Sequence, residues 1–87
     1  MPGNLEVVDP RERLFPASWK DAAIAISFDT ALGGVICPGC GSRFGTRAEL
    51  RRLHADHIVP YSLGGSTTWA NLQILCADCN FSKICRA

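Results

Sequence analysis

Two sets of side chains in this sequence have the types and spacing for chemistry. The first is cysteine. Cys37-Pro38-Gly39-Cys40 and Cys76-Ala77-Asp78-Cys79 are two C-x-x-C pairs separated by 35 residues. Each pair can bite one tetrahedral metal from a turn. Four thiolates close the shell, which describes a structural zinc site with no position left for water. Gly39 and Gly41 let the backbone curl so that its amides face the sulfurs. The second set centres on Asp56-His57. Asp56 is a hard oxygen donor suited to magnesium or manganese. His57, beside it, exchanges a proton near pH 7. On a strand, His54 shares the face of Asp56. It either contacts a metal or phosphate, or is a partly buried ring bonded to backbone. Lys83 and, more weakly, Arg51, Arg52 and Arg86 are candidate phosphate contacts, against a reading of each as a solvated charge.

A different partition of the metal ligands is a Cys2His2 finger built from Cys37, Cys40, His54 and His57, with Phe44 and Leu50 as its core. Here the histidines are only two residues apart, where the finger pattern wants three to five. Its helix would run straight into Ile58-Val59-Pro60, and Cys76 and Cys79 would lack partners. The four-cysteine site uses both pairs and is preferred, also over four buried reduced thiols. Structural zinc contributes ~10–16 kcal/mol in finger peptides, comparable to the whole stability of an ordinary domain. The metal-free chain is therefore expected to be unfolded or molten. Cys85 falls outside the pattern.

Eighty-seven residues are expected to form one domain with a modest core, and ordering them costs ~1–2 kcal/mol per residue, so a staple is needed. Residues 1–15 carry acids and no apolar leader core, and no run is long enough to span a membrane. The expected location is cytoplasmic, where thiols stay reduced and metal binding is favoured over disulfides. Residues 1–36 hold three basic against five acidic side chains, and residues 37–87 hold six against three. That bias suits a phosphate backbone. Arg43 to Arg52 read equally well as phosphate contacts or as a solvated helix face.

The elements that must position these groups follow from local signals. Residues 1–15, broken by proline, read as an arm that packs on the domain or on a partner. Ser18 to Leu32 predicts a helix with Ser18 as N-cap, Trp19, Ala22, Ala23 and Ile26 on one face, and Gly33-Gly34 as its end. The alternation Ile24 to Asp29 also fits a strand. Trp19 is read as a core anchor rather than a base-stacking ring. Val35 to Phe44 predicts a zinc knuckle on a short hairpin, and Thr46-x-x-Glu49 a capping box opening a short helix to about Arg52, with Leu50 and Leu53 facing inward. Leu53 to Val59 and Leu72 to Leu75 predict two strands around a polar loop containing Gly64-Gly65, Ser66, Thr67 and Thr68. A last helix starts at Ala77 or Asp78.

Asp56-His57-Ile58-Val59-Pro60, Gly64-Gly65, Asn71-Leu72-Gln73-Ile74-Leu75-Cys76 and Cys79-Asn80 with Lys83 together resemble the HNH endonuclease family, the ββα-metal nucleases, in their four-cysteine variant. The resemblance runs from Cys37 to Lys83. It implies a small zinc-stabilised α+β fold, here with an N-terminal helix, in which residues 1–36 form an arm and helix and 37–87 the nuclease core. It also implies metal-dependent hydrolysis of DNA, double-stranded in first place. By resemblance Asp56 is a ligand of a catalytic Mg2+ or Mn2+ ion, and His57 is the general base. Asn80 is a second oxygen ligand, and Asn71 holds the loop and orients the histidine. Where many relatives carry histidine this chain has Asn80, which implies a weaker ligand set and dependence on millimolar metal. The alternative is a non-catalytic zinc module that binds nucleic acid or protein. Whether the chain acts as a monomer or a homodimer is open.

Overall fold

A computed structural model describes residues 7–86, with side chains as far as Ser82; residues 1–6 of the arm and the side chains of Lys83, Cys85 and Arg86 lie outside the described residues. The order is helix α1 (Ala17–Ser27), a hairpin of β1 (Val35–Ile36) and β2 (Arg43–Phe44), helix α2 (Arg47–Leu50), strand β3 (Leu53–His57), strand β4 (Leu72–Cys76) and helix α3 (Ala77–Arg86). This is a small α+β fold with two separate two-stranded antiparallel sheets. Among the described residues no helix is long and apolar enough to cross a membrane.

Two expectations for α1 need correction. The N-cap is Pro16, not Ser18, and its carbonyl accepts from the Trp19 and Lys20 amides at 3.1 and 3.2 Å. The proline ring sets φ before the first turn, so the helix starts ahead of Ser18. It also ends at Ser27 rather than running to Leu32. The Asp29 carboxylate accepts from the Ala31 and Leu32 amides at 2.9 and 3.2 Å, and Asp29 bridges backbone to backbone with Gly34. A short polar side chain that captures nearby amides competes with the helix ladder. The bridge turns the chain back into β1. Trp19 and Ala23 are buried as expected, but Ile26 is 66% exposed and Ile24 packs on the core instead.

The remaining elements follow their local signals closely. In α2 the Thr46 hydroxyl accepts from the Glu49 amide at 3.1 Å, and the Glu49 carboxylate accepts from the Thr46 amide at 2.9 Å. The Thr46 amide, then that of Gly45 and the Thr46 hydroxyl, hold the Glu49 carboxyl below its ordinary value. The helix is a single turn, shorter than expected. Strands β3 and β4 pair from Leu53↔Cys76 to His57↔Leu72. Beyond His57 the ladder gives way: the Ile58 amide still reaches the Asn71 carbonyl, but the Val59 amide turns to the Asn71 side chain. So β3 stops before Val59, while β4 extends to Cys76.

One apolar cluster joins the pieces. Ala23 of α1, Val35 and Cys37 of the hairpin, and Leu53, Ile74, Leu75 and Cys76 of the long sheet share it with Phe44. Full burial of a side chain such as Leu53 contributes about 1.5–3 kcal/mol. With so few large side chains inside, the core needs the cysteine site that it adjoins. α1 packs on β4 and β1, and α3 packs on β3 and β4.

Candidate active site and metal centre

The knuckle between β1 and β2 closes with Cys37 N–H on Ser42 C=O at 2.9 Å and Gly41 N–H on Cys37 C=O at 2.8 Å. Cys76 ends β4, and Cys79 sits in the first turn of α3. The sulfurs of Cys37, Cys40, Cys76 and Cys79 lie within 4.8 Å of one another, and those of Cys40 and Cys76 are 3.8 Å apart. A tetrahedron with metal–sulfur bonds of ~2.3 Å has an edge of ~3.8 Å. The four thiols thus fit an ion such as zinc. Gly39 makes room for this approach, since a Cβ there would lie 2.9 Å from the Cys79 sulfur.

The protonation of the cluster points the same way. The Ser42 hydroxyl and amide lower Cys40 from 9.0 to about 6. At Cys37, burial opposes ionisation, but the amides of Cys76, Cys40 and Gly39 outweigh it and lower the thiol. Cys79 is pushed up by the Cys76 sulfur, then by burial and the Cys37 and Cys40 sulfurs. The amides favour thiolates that cannot all coexist unaided, and a dication at the centre removes the conflict.

The second site is a cleft of about 360 Å³ whose walls include Asp56, His57 and Asn80. Asp56 and His57 are neighbours on a strand, so their side chains leave opposite faces. They meet in one cleft because β3 ends at His57. Gln73, the cross-strand partner of Asp56, donates from Nε2 to Oδ2 at 2.9 Å and sets the rotation of the carboxylate. Asn80, in the first turn of α3, approaches from the helix side.

Asn71 holds the loop between the strands. Its Oδ1 accepts from the Val59 amide at 2.9 Å, and its Nδ2 donates to the carbonyls of Val59 at 3.2 Å and Ser66 at 2.8 Å. Both ends of the loop are thereby pinned to one amide. Gly65 is needed here, because a Cβ would overlap the Val59 carbonyl.

The arm forms another wall of the cleft through Arg13, Leu14 and Phe15. The Phe15 ring centroid lies 4.3 Å from that of His57, and the Tyr61 centroid lies 5.8 Å from it. Arg13 stands 5.6 Å over the Tyr61 ring. His57 Nε2 is 2.8 Å from the hydroxyl oxygen of Thr67.

A model of the family described as HNH endonuclease matches residues 37–83, more than half of the chain. The chain belongs to the HNH endonuclease family. No curated protein and no solved structure matches it. The HNH segment starts at the first knuckle cysteine and contains the four cysteines with Asp56, His57 and Asn80, while α1 and the arm that walls the cleft lie before it.

The four-cysteine grouping replaces the Cys2His2 partition outright: the sulfurs of Cys37 and Cys40 meet Cys76 and Cys79, while His57 lines the other cleft and His54 is exposed. His54 and Arg51 are not among the residues lining the HNH cleft. Arg52 pairs with Asp78 at 3.3 Å and, with Arg43, lines a wider cavity of about 870 Å³ beside the cysteines. Trp19 packs edge-on against Trp69 at 6.2 Å, inside rather than on a binding surface. Nothing in the sequence singles out Phe15 or Thr67. Thr67 is one hydroxyl of three in a polar loop, and no local signal marks it as the buried one.

Proposed function

We propose that this chain is a metal-dependent HNH endonuclease that hydrolyses phosphodiester bonds of DNA. The observation that carries the reading is the meeting of Asp56, His57 and Asn80 in one cleft, on the segment that matches the family. A carboxylate and an amide oxygen are hard donors, so the pair fits Mg2+ or Mn2+ rather than a thiophilic metal. An ion held by them would neutralise charge on the phosphate and stabilise the leaving oxygen. His57 takes a proton from the attacking water. Asn71 keeps the loop over the cleft in place, and the first turn of α3 favours an anion near Asn80. Zinc in the four-cysteine site has a structural role, tying the knuckle to β4 and α3.

Phosphate contacts would supply most of the affinity and make it salt-sensitive. Arg51, Arg52, His54 and Lys83 are proposed contacts. Arg52 reaches a phosphate only by giving up Asp78, an exposed pair worth little.

The test is cleavage of supercoiled plasmid by wild type and His57→Ala, with magnesium, manganese or EDTA. Wild type is expected to cut only with added metal. The variant is expected to lose ~10²–10⁴-fold in rate while keeping zinc and fold. A fully active His57→Ala would refute the role given to His57. A wild type that is folded, zinc-loaded and inert with every metal would favour a binding module instead.

A further inference from the structure

Thr67 belongs to a surface loop, yet its side chain is 1% exposed. Its hydroxyl has two neighbours, the backbone carbonyl oxygen of Glu12 and Nε2 of His57. A hydroxyl has one proton to donate, and a carbonyl oxygen can only accept. The Thr67 proton therefore goes to Glu12, and the Thr67 oxygen accepts from the ring. His57 then carries its proton on Nε2, and the lone pair of the neutral imidazole is on Nδ1.

The arm is fastened at this point several times over. The Thr67 amide donates to the Pro10 carbonyl at 2.8 Å, and the Tyr61 hydroxyl donates to the Arg11 carbonyl at 2.9 Å. Three successive arm carbonyls, those of Pro10, Arg11 and Glu12, are thus bound to the loop. A few residues on, Phe15 places its ring against the imidazole. The Thr67 relay fixes which nitrogen bears hydrogen, and Phe15 limits how the ring tilts.

We infer that the arm from Pro10 to Phe15 positions His57, acting through the Glu12 carbonyl and the Thr67 hydroxyl to hold the Nε2–H tautomer and make Nδ1 the base. The inference rests on the nuclease reading. In the step, Nδ1 takes one proton from water as the water oxygen bonds to phosphorus. The bond to the leaving sugar oxygen breaks with its electron pair, and that oxygen is protonated from solvent. The imidazolium so formed keeps its Nε2–H on Thr67, and a hydrogen bond from a charged donor is the stronger one. The relay therefore supports the transition state more than the ground state. Thr67 is a positioning residue, since it acts through the histidine.

The test uses the full zinc-loaded chain with Thr67→Val, which keeps the shape and removes the hydroxyl, and Thr67→Ser, which keeps the hydroxyl. Glu12→Ala is the control, because only the Glu12 backbone takes part. Nitrogen-15 spectra of the imidazoles, with His54→Gln for assignment, read the tautomer without any cleavage. Wild type should show the Nε2–H form, and Thr67→Val should lose it. In plasmid cleavage below the melting temperature of every variant, Thr67→Val should lose about 10–100-fold in kcat with KM little changed. Thr67→Ser should recover most of it, and Glu12→Ala should match wild type. An Nδ1–H ring in wild type, a fully active Thr67→Val, or a Thr67→Ser as impaired as Thr67→Val would each overturn the inference. If wild type cuts nothing, the nuclease reading falls on its own. The nitrogen spectra still decide the link between arm and tautomer, an Nε2–H ring in wild type that Thr67→Val loses upholding it and an Nδ1–H ring refuting it.

Discussion

Replacing Asn71 separates its two hydrogen-bonding ends. The side chain makes three hydrogen bonds, one accepted from the Val59 amide and two donated to the Val59 and Ser66 carbonyls. A typical bond of this kind contributes about 1 kcal/mol net, so three together contribute ~3 kcal/mol. Asn71 is only half-buried, and water can replace part of what is lost, so Asn71→Ala should cost about 2 kcal/mol. For a domain of this size, each kcal/mol lowers the melting temperature by ~4–8 °C, which gives a drop of ~8–16 °C. Asn71→Asp is the sharper probe. It keeps the acceptor for Val59 but turns the donor into a carboxylate oxygen facing two carbonyls. It should destabilise at least as much as alanine, although it is the closer isostere. Thermal melts of the zinc-loaded proteins give the ranking, and hydrogen exchange at the Val59 amide places the change in the loop. An Asn71→Asp that melts with wild type would refute the amide orientation and the clamp with it.

Three other outcomes follow from the metal centre. Cys76→Ser removes a ligand that is also a core residue in register with Leu53, so zinc content and cooperative melting should vanish together; an unchanged melt would refute a structural zinc site. Gly39→Ala puts a Cβ 2.9 Å from the Cys79 sulfur, so zinc affinity should drop by at least tenfold in a chelator competition while His57 and its cleft stay intact. The Cys40 thiolate is held by Ser42 at about 6, below its free value of 9.0, so the stability it lends is present above pH 9 and is lost as pH falls through about 6. Ser42→Ala should raise that value and move the pH midpoint of metal release upward, as followed by cobalt–thiolate absorption. An unshifted midpoint would show that Ser42 does not hold the thiolate.

Local rules reached far into this chain because much of its construction is local. The capping box at Thr46, the knuckle turn and the two strands each depend on residues a few positions apart, and the structure holds each near its expected bounds. Helix α1 departed from expectation where two local signals competed. Its apolar spacing continued past Ser27, but the Asp29 carboxylate took the amides that the next turn needed. The fate of Arg52 was not legible either, since its partner Asp78 is distant in sequence and nothing local joins them.

The sequence by itself determined the chemistry available: two C-x-x-C pairs with the ligand type for a tetrahedral ion, and an Asp-His pair with two asparagines on the segment that matches the family. Ligand type and short-range spacing carry that information, because a turn brings the two cysteines of one pair together in almost any context; that both pairs share one site is decided by the fold. Only the tertiary structure decided what surrounds His57. The Thr67 hydroxyl meets the histidine from the following loop, the Glu12 carbonyl reaches that hydroxyl from the distant arm, and the Phe15 ring of the same arm lies against the imidazole, through hydrogen bonds and ring contacts with no sequence period. A backbone carbonyl is the same at every residue. Which one closes a relay is settled only when the folded arm lies over the loop.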